Sequence, residues 1–388
     1  MWLSQFKSKK GQALAVPLLY WIFVVTCDGI SADDEQIVQI DRLAPATYHT
    51  RTNFLSITLD SSTIGNGFNV FNMTDTKLIK MMGHLSPGFL RVGGTLGDRL
   101  YFSPDSVEVD KNVDLQIATN FTMTGAQWLQ LTDLAKQANL DVIFQLNALM
   151  RLSDGSWDYS NAETLISFSD EHKLNLDWEL GNEPDIFHQQ FNEEVNTTQL
   201  AKDFATLRSI LDKYETYKES QLFGPDTTWP SEGNKYYIRD FVKDASHVID
   251  AVTWHHYYMN GHTAKAEDFL NPKIFDDLSA HIKIVKDAAK EVNASSVPIW
   301  LGETSSAYGG GAPNLSDIFI ASFLWVDKLG VSAKMGLELV ARQSIVDYNY
   351  ALLDKSYNPN PIKQPQIIFY SCMPVAVIQH VHSLIKEQ

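Results

Sequence analysis

Cysteine is nearly absent: among 388 residues only Cys27 and Cys372 carry a thiol. Cys27 lies in an N-terminal segment that reads as removable, so the mature chain keeps one cysteine and is expected to form no internal disulfide. Positive charge is scarce too. Thirty-one Lys and Arg stand against 47 Asp and Glu, a formal net charge of -16. That balance speaks against general affinity for nucleic acid or an anionic membrane surface, which need clustered cations. Beyond the N-terminal segment no stretch is apolar enough to cross a bilayer. HExxH and paired-cysteine spacings are missing, and no glycine-rich phosphate turn follows the first predicted strand. Neither a metal nor a cofactor is therefore expected. What remains is an ordinary globular composition, 44% hydrophobic and 20% charged, in a chain long enough for one (β/α)8 barrel with decorations.

Residues 1–32 read as a secretory signal peptide. Lys7, Lys9 and Lys10 form a basic start, an apolar run extends from Ala13 to Cys27, and small residues lead to Ala32 before Asp33 and Asp34. Pro17 interrupts the run, which is short for a membrane span; an uncleaved anchor is the alternative. Asn-x-Ser/Thr sequons at Asn72, Asn120, Asn196, Asn293 and Asn314 agree with a secreted or lysosomal glycoprotein. A monomer is expected.

The chain alternates short β-rich runs with amphipathic helical stretches. Strands are predicted at Phe54–Leu59, Gly88–Val92, Asp141–Leu146, Leu174–Leu180, Gln221–Gly224, Ala251–Tyr258, Pro298–Gly302 and Ala333–Val340. Helices are predicted at Gly125–Ala138, Thr198–Tyr214 and Pro272–Val292, among others. Eight strands with helices between them imply a TIM barrel over residues 33–361, with a doubly wound open sheet as the alternative. Residues 362–388 are apolar and do not continue the rhythm.

In such a barrel, chemistry sits at the C-terminal ends of the strands. Two ends carry a Glu just past an apolar strand: WELGNEP places Glu183, and WLGETS places Glu303. A facing pair of carboxyls is what glycoside cleavage needs, one to protonate the leaving oxygen and one to attack the anomeric carbon or activate water. The bland alternative is two solvated loop acids. Asn182 is placed to meet a sugar hydroxyl, and His255 and Tyr257, sharing one face of the strand WHHYY, are placed to hold the nucleophilic carboxylate. His255 and His256 point to opposite faces, which disfavours a shared zinc. The glycines of YGGGA bring backbone amides toward a substrate anion, or form a plain surface turn.

The motifs WELGNEPD, VTWHHYYMNG, DFLNP and WLGETSSAYGGGAP, with FLSITLD and FLRVGGT earlier, resemble the heparanases, a glycoside hydrolase family of endo-β-glucuronidases. The likeness runs from Phe54 to Pro361. It implies a retaining hydrolase of heparan sulfate or a related glycosaminoglycan or proteoglycan, with Glu183 as acid/base and Glu303 as nucleophile. By the same resemblance Asp60, Thr95, Asn182, Tyr308, Gly309, Gly310 and Tyr350 belong to the substrate pocket. There are departures. No long basic linker lies between Tyr101 and Asn120, and Thr227–Glu232, His262 and Gln189 stand where the family carries Arg and Lys, which implies a less sulfated substrate or a non-sulfated glucuronide. After Pro361 the chain diverges, so the family's C-terminal β-sandwich is expected to be missing. The rival readings are a glycan-binding isoform that has lost activity and an exo-acting β-glucuronidase.

Overall fold

A computed structural model describes residues 48–69, 71–106, 119–231 and 234–361; the expected signal peptide, the divergent tail and both cysteines lie outside them. Eight parallel strands close a barrel: β1 (Leu55–Asp60), β2 (Phe89–Gly93), β3 (Asp141–Leu146), β4 (Leu176–Leu180), β5 (Leu222–Thr227), β6 (Ala251–His256), β7 (Ile299–Thr304) and β8 (Leu339–Arg342). Each strand pairs with its neighbours in sequence, and β8 closes on β1 through Leu55–Val340 and Ile57–Arg342. The predicted (β/α)8 architecture is the observed one. Burial on both faces explains the nearly unbroken apolar text of these strands.

Two layers organise the core. Inward-facing Phe89, Ile143, Phe223, Ala251, Trp300, Leu339 and Ala341 form a cluster of their own. There Trp300 packs 4.2 Å from Phe223 and 5.9 Å from Phe89 between ring centroids. Outward-facing residues join the helices in the larger cluster. The apolar plug fills the lower barrel, so polar inward residues collect above it, at the C-terminal mouth.

Caps set the helix boundaries. Thr124 and Gln127 form a capping box at the start of Gly125–Gln137. Asn196 accepts from the Gln199 amide ahead of Thr197–Leu211. Asn271 and Pro272 open the helix Pro272–Glu291. One prediction needs correcting: the run beginning at Ala333 is not strand. A helix spans Ala321–Lys334, Gly336 turns the chain at φ 75°, and β8 starts only at Leu339. The Leu337 amide donates to the Ser332 carbonyl at 2.9 Å and closes a glycine-capped helix end, and an added Cβ at Gly336 would stand 2.8 Å from the Tyr48 ring. β6 likewise stops at His256, which releases Tyr257 and Tyr258 to the mouth. Two short parallel pairs, Leu100–Ser103 with Phe121–Thr124 and Met259–Asn260 with Ala307–Tyr308, were not predicted. Among the described residues no helix is long and apolar enough to cross a membrane. The five sequon asparagines are all exposed.

Candidate active site

One buried cation organises the mouth. Arg91, on β2 and 1% exposed, donates through Nε to Glu179 Oε2 (2.7 Å) and through Nη1 to Glu303 Oε2 (3.0 Å). Its Nη2 reaches Asp226 Oδ2 (2.5 Å) and Asn182 Oδ1 (3.0 Å). Three carboxyls around one guanidinium leave surplus negative charge, and protonation resolves it. Burial drives Glu179 well above the ordinary range against the pull of Arg91, with Asp226 adding to the rise. Asp226 moves the other way: burial would raise it, but Arg91 and His255 outweigh that and hold it ionised. The two carboxyls titrate as a pair, with the higher proton affinity on the Glu179 side.

Glu183 follows Gly181 (φ 81°) and itself adopts the left-handed conformation at φ 54°. That conformation costs an L-residue about 1 kcal/mol, and the turn is fixed by its amide donating to the Asp226 carbonyl at 2.8 Å. Its Oε1 lies 3.1 Å from His255 Nδ1, and Gln190 Nε2 stands 3.3 Å from Oε2. Burial raises the Glu183 carboxyl above the usual range; His255 opposes the shift, and the charges of Glu303 and Asp185 add to it.

Glu303 reaches the site through a β-bulge. The β7–β6 register jumps from Leu301–Trp254 to Glu303–His255, re-aiming the side chain inward. Gly302 makes this possible, because a Cβ there would stand 2.6 Å from Asp226 Oδ1. Tyr257 donates to Glu303 Oε1 at 2.5 Å. The expectation that both His255 and Tyr257 hold this carboxylate is corrected: Tyr257 does, whereas His255 lies against Glu183, with Nε2 3.3 Å from Asp226 Oδ1. The bulge separates their targets. Burial alone would lower the His255 imidazole, but the charges of Asp226 and Glu303 raise it to about 10. His256 faces outward, 3.3 Å from Lys328 Nζ, so the two histidines share no ligand. Among the described residues no group of His, Cys, Asp and Glu is arranged to hold a metal ion.

The remaining predicted residues gather around this centre. Asp60 accepts from the Ser62 amide and from Gln343 Nε2, both at 2.9 Å. Burial pushes its carboxyl to about 6, against the Ser62 hydrogen bond and with help from the Glu303 charge. Tyr350 stacks on Tyr257 at 6.2 Å and 29°. Thr95 Oγ1 lies 3.5 Å from the same Gln190 nitrogen that approaches Glu183. Asn182 is 2% exposed and its Oδ1 is taken by Arg91, so only its amide nitrogen is left for a sugar hydroxyl. Gly309 and Gly310, at φ 74° and 85°, pack against His262 and Tyr348. Tyr308 is 37% exposed at the rim.

Sequence reasoning missed Arg91, Glu179, Asp98, Gln190 and Gln343 as site residues. A signal was present: Arg91 and Glu179 are charges at inward positions of apolar strands. Asp98 accepts from the Ala148 amide (2.8 Å) and the Asn182 amide (2.9 Å), anchoring the loop that carries Glu183. Burial raises Asp98 to about 7, opposed by those two bonds.

These shifts predict a stability trend. Folding raises the proton affinity of Asp60, Asp98 and Glu183, and also of Asp177, which burial moves to about 7. His255 rises from 6.5 to about 10. A raised group stabilises the fold below its unfolded pKa and loses that contribution as pH climbs through the folded value. The Asp contributions fade between about pH 4 and 7 and that of His255 between 6.5 and about 10; His256, His281 and Lys328, whose proton affinity burial lowers, oppose them but are outnumbered by the raised groups. The thermal midpoint should therefore fall from pH 5 to pH 8. A midpoint that rises over this interval would contradict the protonation pattern.

The chain is similar, over residues 53–330, to the family described as glycosyl hydrolase family 79, N-terminal domain. It is 34% identical to heparanase of Gallus gallus over 366 residues, 84% of this chain and 70% of the relative. It is 35% identical to hyaluronoglucuronidase of Hirudo nipponia over 317 residues (75% and 63%). Inactive heparanase-2 of Homo sapiens is 32% identical over 366 residues (80% and 62%). The chain thus spans about two-thirds of the length of these relatives. Among solved structures, a 4-O-alpha-L-rhamnosyl-beta-D-glucuronidase from Fusarium oxysporum 12S superposes with a TM-score of 0.61 at 17% identity, covering 90% of this chain and 73% of that one. At that identity the match speaks to fold alone.

Proposed function

Because the chain belongs to glycosyl hydrolase family 79, we propose that it is a retaining endo-β-glucuronidase of glycosaminoglycan chains, with Glu183 as acid/base and Glu303 as nucleophile. One observation carries the assignment: two carboxyls share a mouth but have opposite surroundings. Glu183 is driven toward its protonated form by burial, which suits a proton donor. Glu303 receives hydrogen bonds from a guanidinium and a phenol, which suits an anion that attacks carbon.

In this reading Glu183 protonates the glycosidic oxygen while a Glu303 oxygen attacks the anomeric carbon, giving a glucuronosyl ester and releasing the distal chain. Glu183, now a carboxylate beside the His255 imidazolium, then takes a proton from water, which opens the ester with a second inversion and net retention. The heparanase and hyaluronoglucuronidase relatives support a β-glucuronosyl linkage in a glycosaminoglycan. Secretion or delivery to lysosomes is proposed with it, supported by the exposed sequon asparagines, and a mass loss on enzymatic deglycosylation of the secreted chain tests it.

The deciding experiment is chain shortening of heparan sulfate and hyaluronan by the full chain at acidic pH, with the anomer of the new reducing end read by NMR. No shortening by a folded protein overturns the proposal and favours the glycan-binding reading, which draws on the likeness to inactive heparanase-2. Release of terminal glucuronic acid alone favours the exo reading. The pH profile is a second check. Glu183 must be protonated to act, so kcat/KM should fall as pH rises through its raised pKa. Glu183→Gln should remove that alkaline limb when the leaving group is a nitrophenolate, which needs no proton. A limb that persists unchanged in the variant would assign it elsewhere.

A further inference from the structure

Trp229 and Tyr308 are two large aromatic side chains on the rim, each 37% exposed. Their rings stack on each other at 5.5 Å and 25°. They come from different loops, Trp229 just past β5 and Tyr308 just past β7, and both loops are tied to the carboxyl site. Thr228, next to Trp229, donates its amide (3.0 Å) and hydroxyl (2.5 Å) to Asp185, two residues beyond Glu183. Tyr308 pairs with Asn260, and its carbonyl accepts from the Gly261 amide at 2.9 Å. Leaving two rings half in water forgoes their burial free energy. A stacked, tethered pair of this kind is organised to receive a flat apolar face from outside.

Charge narrows the identity of that face. The loops after β4, β5, β6 and β7 (residues 181–196, 228–234, 257–271 and 305–320) contain a single Lys or Arg, Lys265, whose Nζ lies 4.0 Å from Glu267. Sulfate groups need fixed cations with several donors, and Arg91 is wholly committed inside. The C–H face of an unsulfated pyranose needs an aromatic surface and no counter-charge.

We propose that Trp229 and Tyr308 form an aromatic platform for an unsulfated pyranose on the leaving-group side of the scissile bond. The side rests on the hydrolase reading above: the proton donor faces the leaving oxygen, and Trp229 belongs to the loop held against the Glu183 segment.

The test uses the full chain carrying Glu303→Gln, a hyaluronan hexasaccharide as probe and calorimetry as readout. Adding Trp229→Ala should weaken binding about tenfold, and Trp229→Phe should recover most of the loss, with a cooperative melting transition checked for each variant. A heparan sulfate hexasaccharide should bind more weakly than hyaluronan. Unchanged affinity in Trp229→Ala, no hexasaccharide binding by the parent, or tighter binding of the sulfated probe would each overturn the proposal. Turnover by the chain with Glu303 intact keeps the two readings apart. Hydrolysis of nitrophenyl β-glucuronide without Trp229-dependent binding removes the platform and leaves the hydrolase. Trp229-dependent binding without any turnover removes the hydrolase and leaves the platform.

Discussion

Glu303→Gln should yield a folded protein whose turnover of glucuronosyl polymers is lower by a factor on the order of 10⁴ or more, the scale of losing a nucleophile. The substitution is nearly isosteric. One side-chain oxygen can still accept from Arg91 Nη1 or from the Tyr257 hydroxyl, while the new amide cannot attack carbon. With that oxygen turned to Arg91, the new NH2 donates to the Tyr257 hydroxyl, which rotates to accept; what is lost is the charge-assisted part of both bonds, about 1–3 kcal/mol. A few degrees of thermal midpoint should go with it, without loss of cooperative unfolding. Steady-state rates and a melting curve on the same preparation check both halves. Residual turnover within tenfold of the parent would mean that Glu303 is not the nucleophile.

Arg91→Met should damage stability as much as activity. The variant strands Glu179, Asp226 and Glu303 together, with none of the four hydrogen bonds that Arg91 supplies. Removing one partner of a buried ion pair costs roughly 3–5 kcal/mol, and here three acids lose the same partner. Urea unfolding at pH 7 should show a loss of at least that size, and it should shrink at pH 5, where the stranded carboxyls protonate more readily. Arg91→Lys is no rescue, because one ammonium cannot span acceptors arranged around a planar fork. A lysine variant with parental stability and rate would refute the organising role given to Arg91.

The barrel was readable in the sequence because strands buried on both faces produce unbroken apolar runs, and caps such as Thr124 and Asn271 print helix boundaries directly. Glu183 and Glu303 were readable because each ends such a run. Long-range geometry was not. Nothing local to FLRVG says that Arg91 meets residues from β4, β5 and β7. The bulge that separates the targets of His255 and Tyr257 depends on Gly302 leaving room for Asp226, two strands away. The start of β8 was misplaced although its signal was local: Gly336, at positive φ, caps the helix through the Leu337–Ser332 bond before the strand begins. Trp229 escaped notice because an exposed tryptophan acquires meaning only from the ring it stacks upon.

The plug of Phe89, Phe223 and Trp300 has a consequence for traffic. It seals the floor beneath the carboxyl site, so no polymer can thread through the barrel and no product can leave from below. Under the proposed activity a polymer would be laid across the C-terminal mouth, and both fragments would leave by the same side. How far along a chain a cut can fall is then decided by the height of the rim loops alone. On the proposed reading, a change at the rim would shift the balance between mid-chain cutting and end trimming while every group in the floor stays where it is.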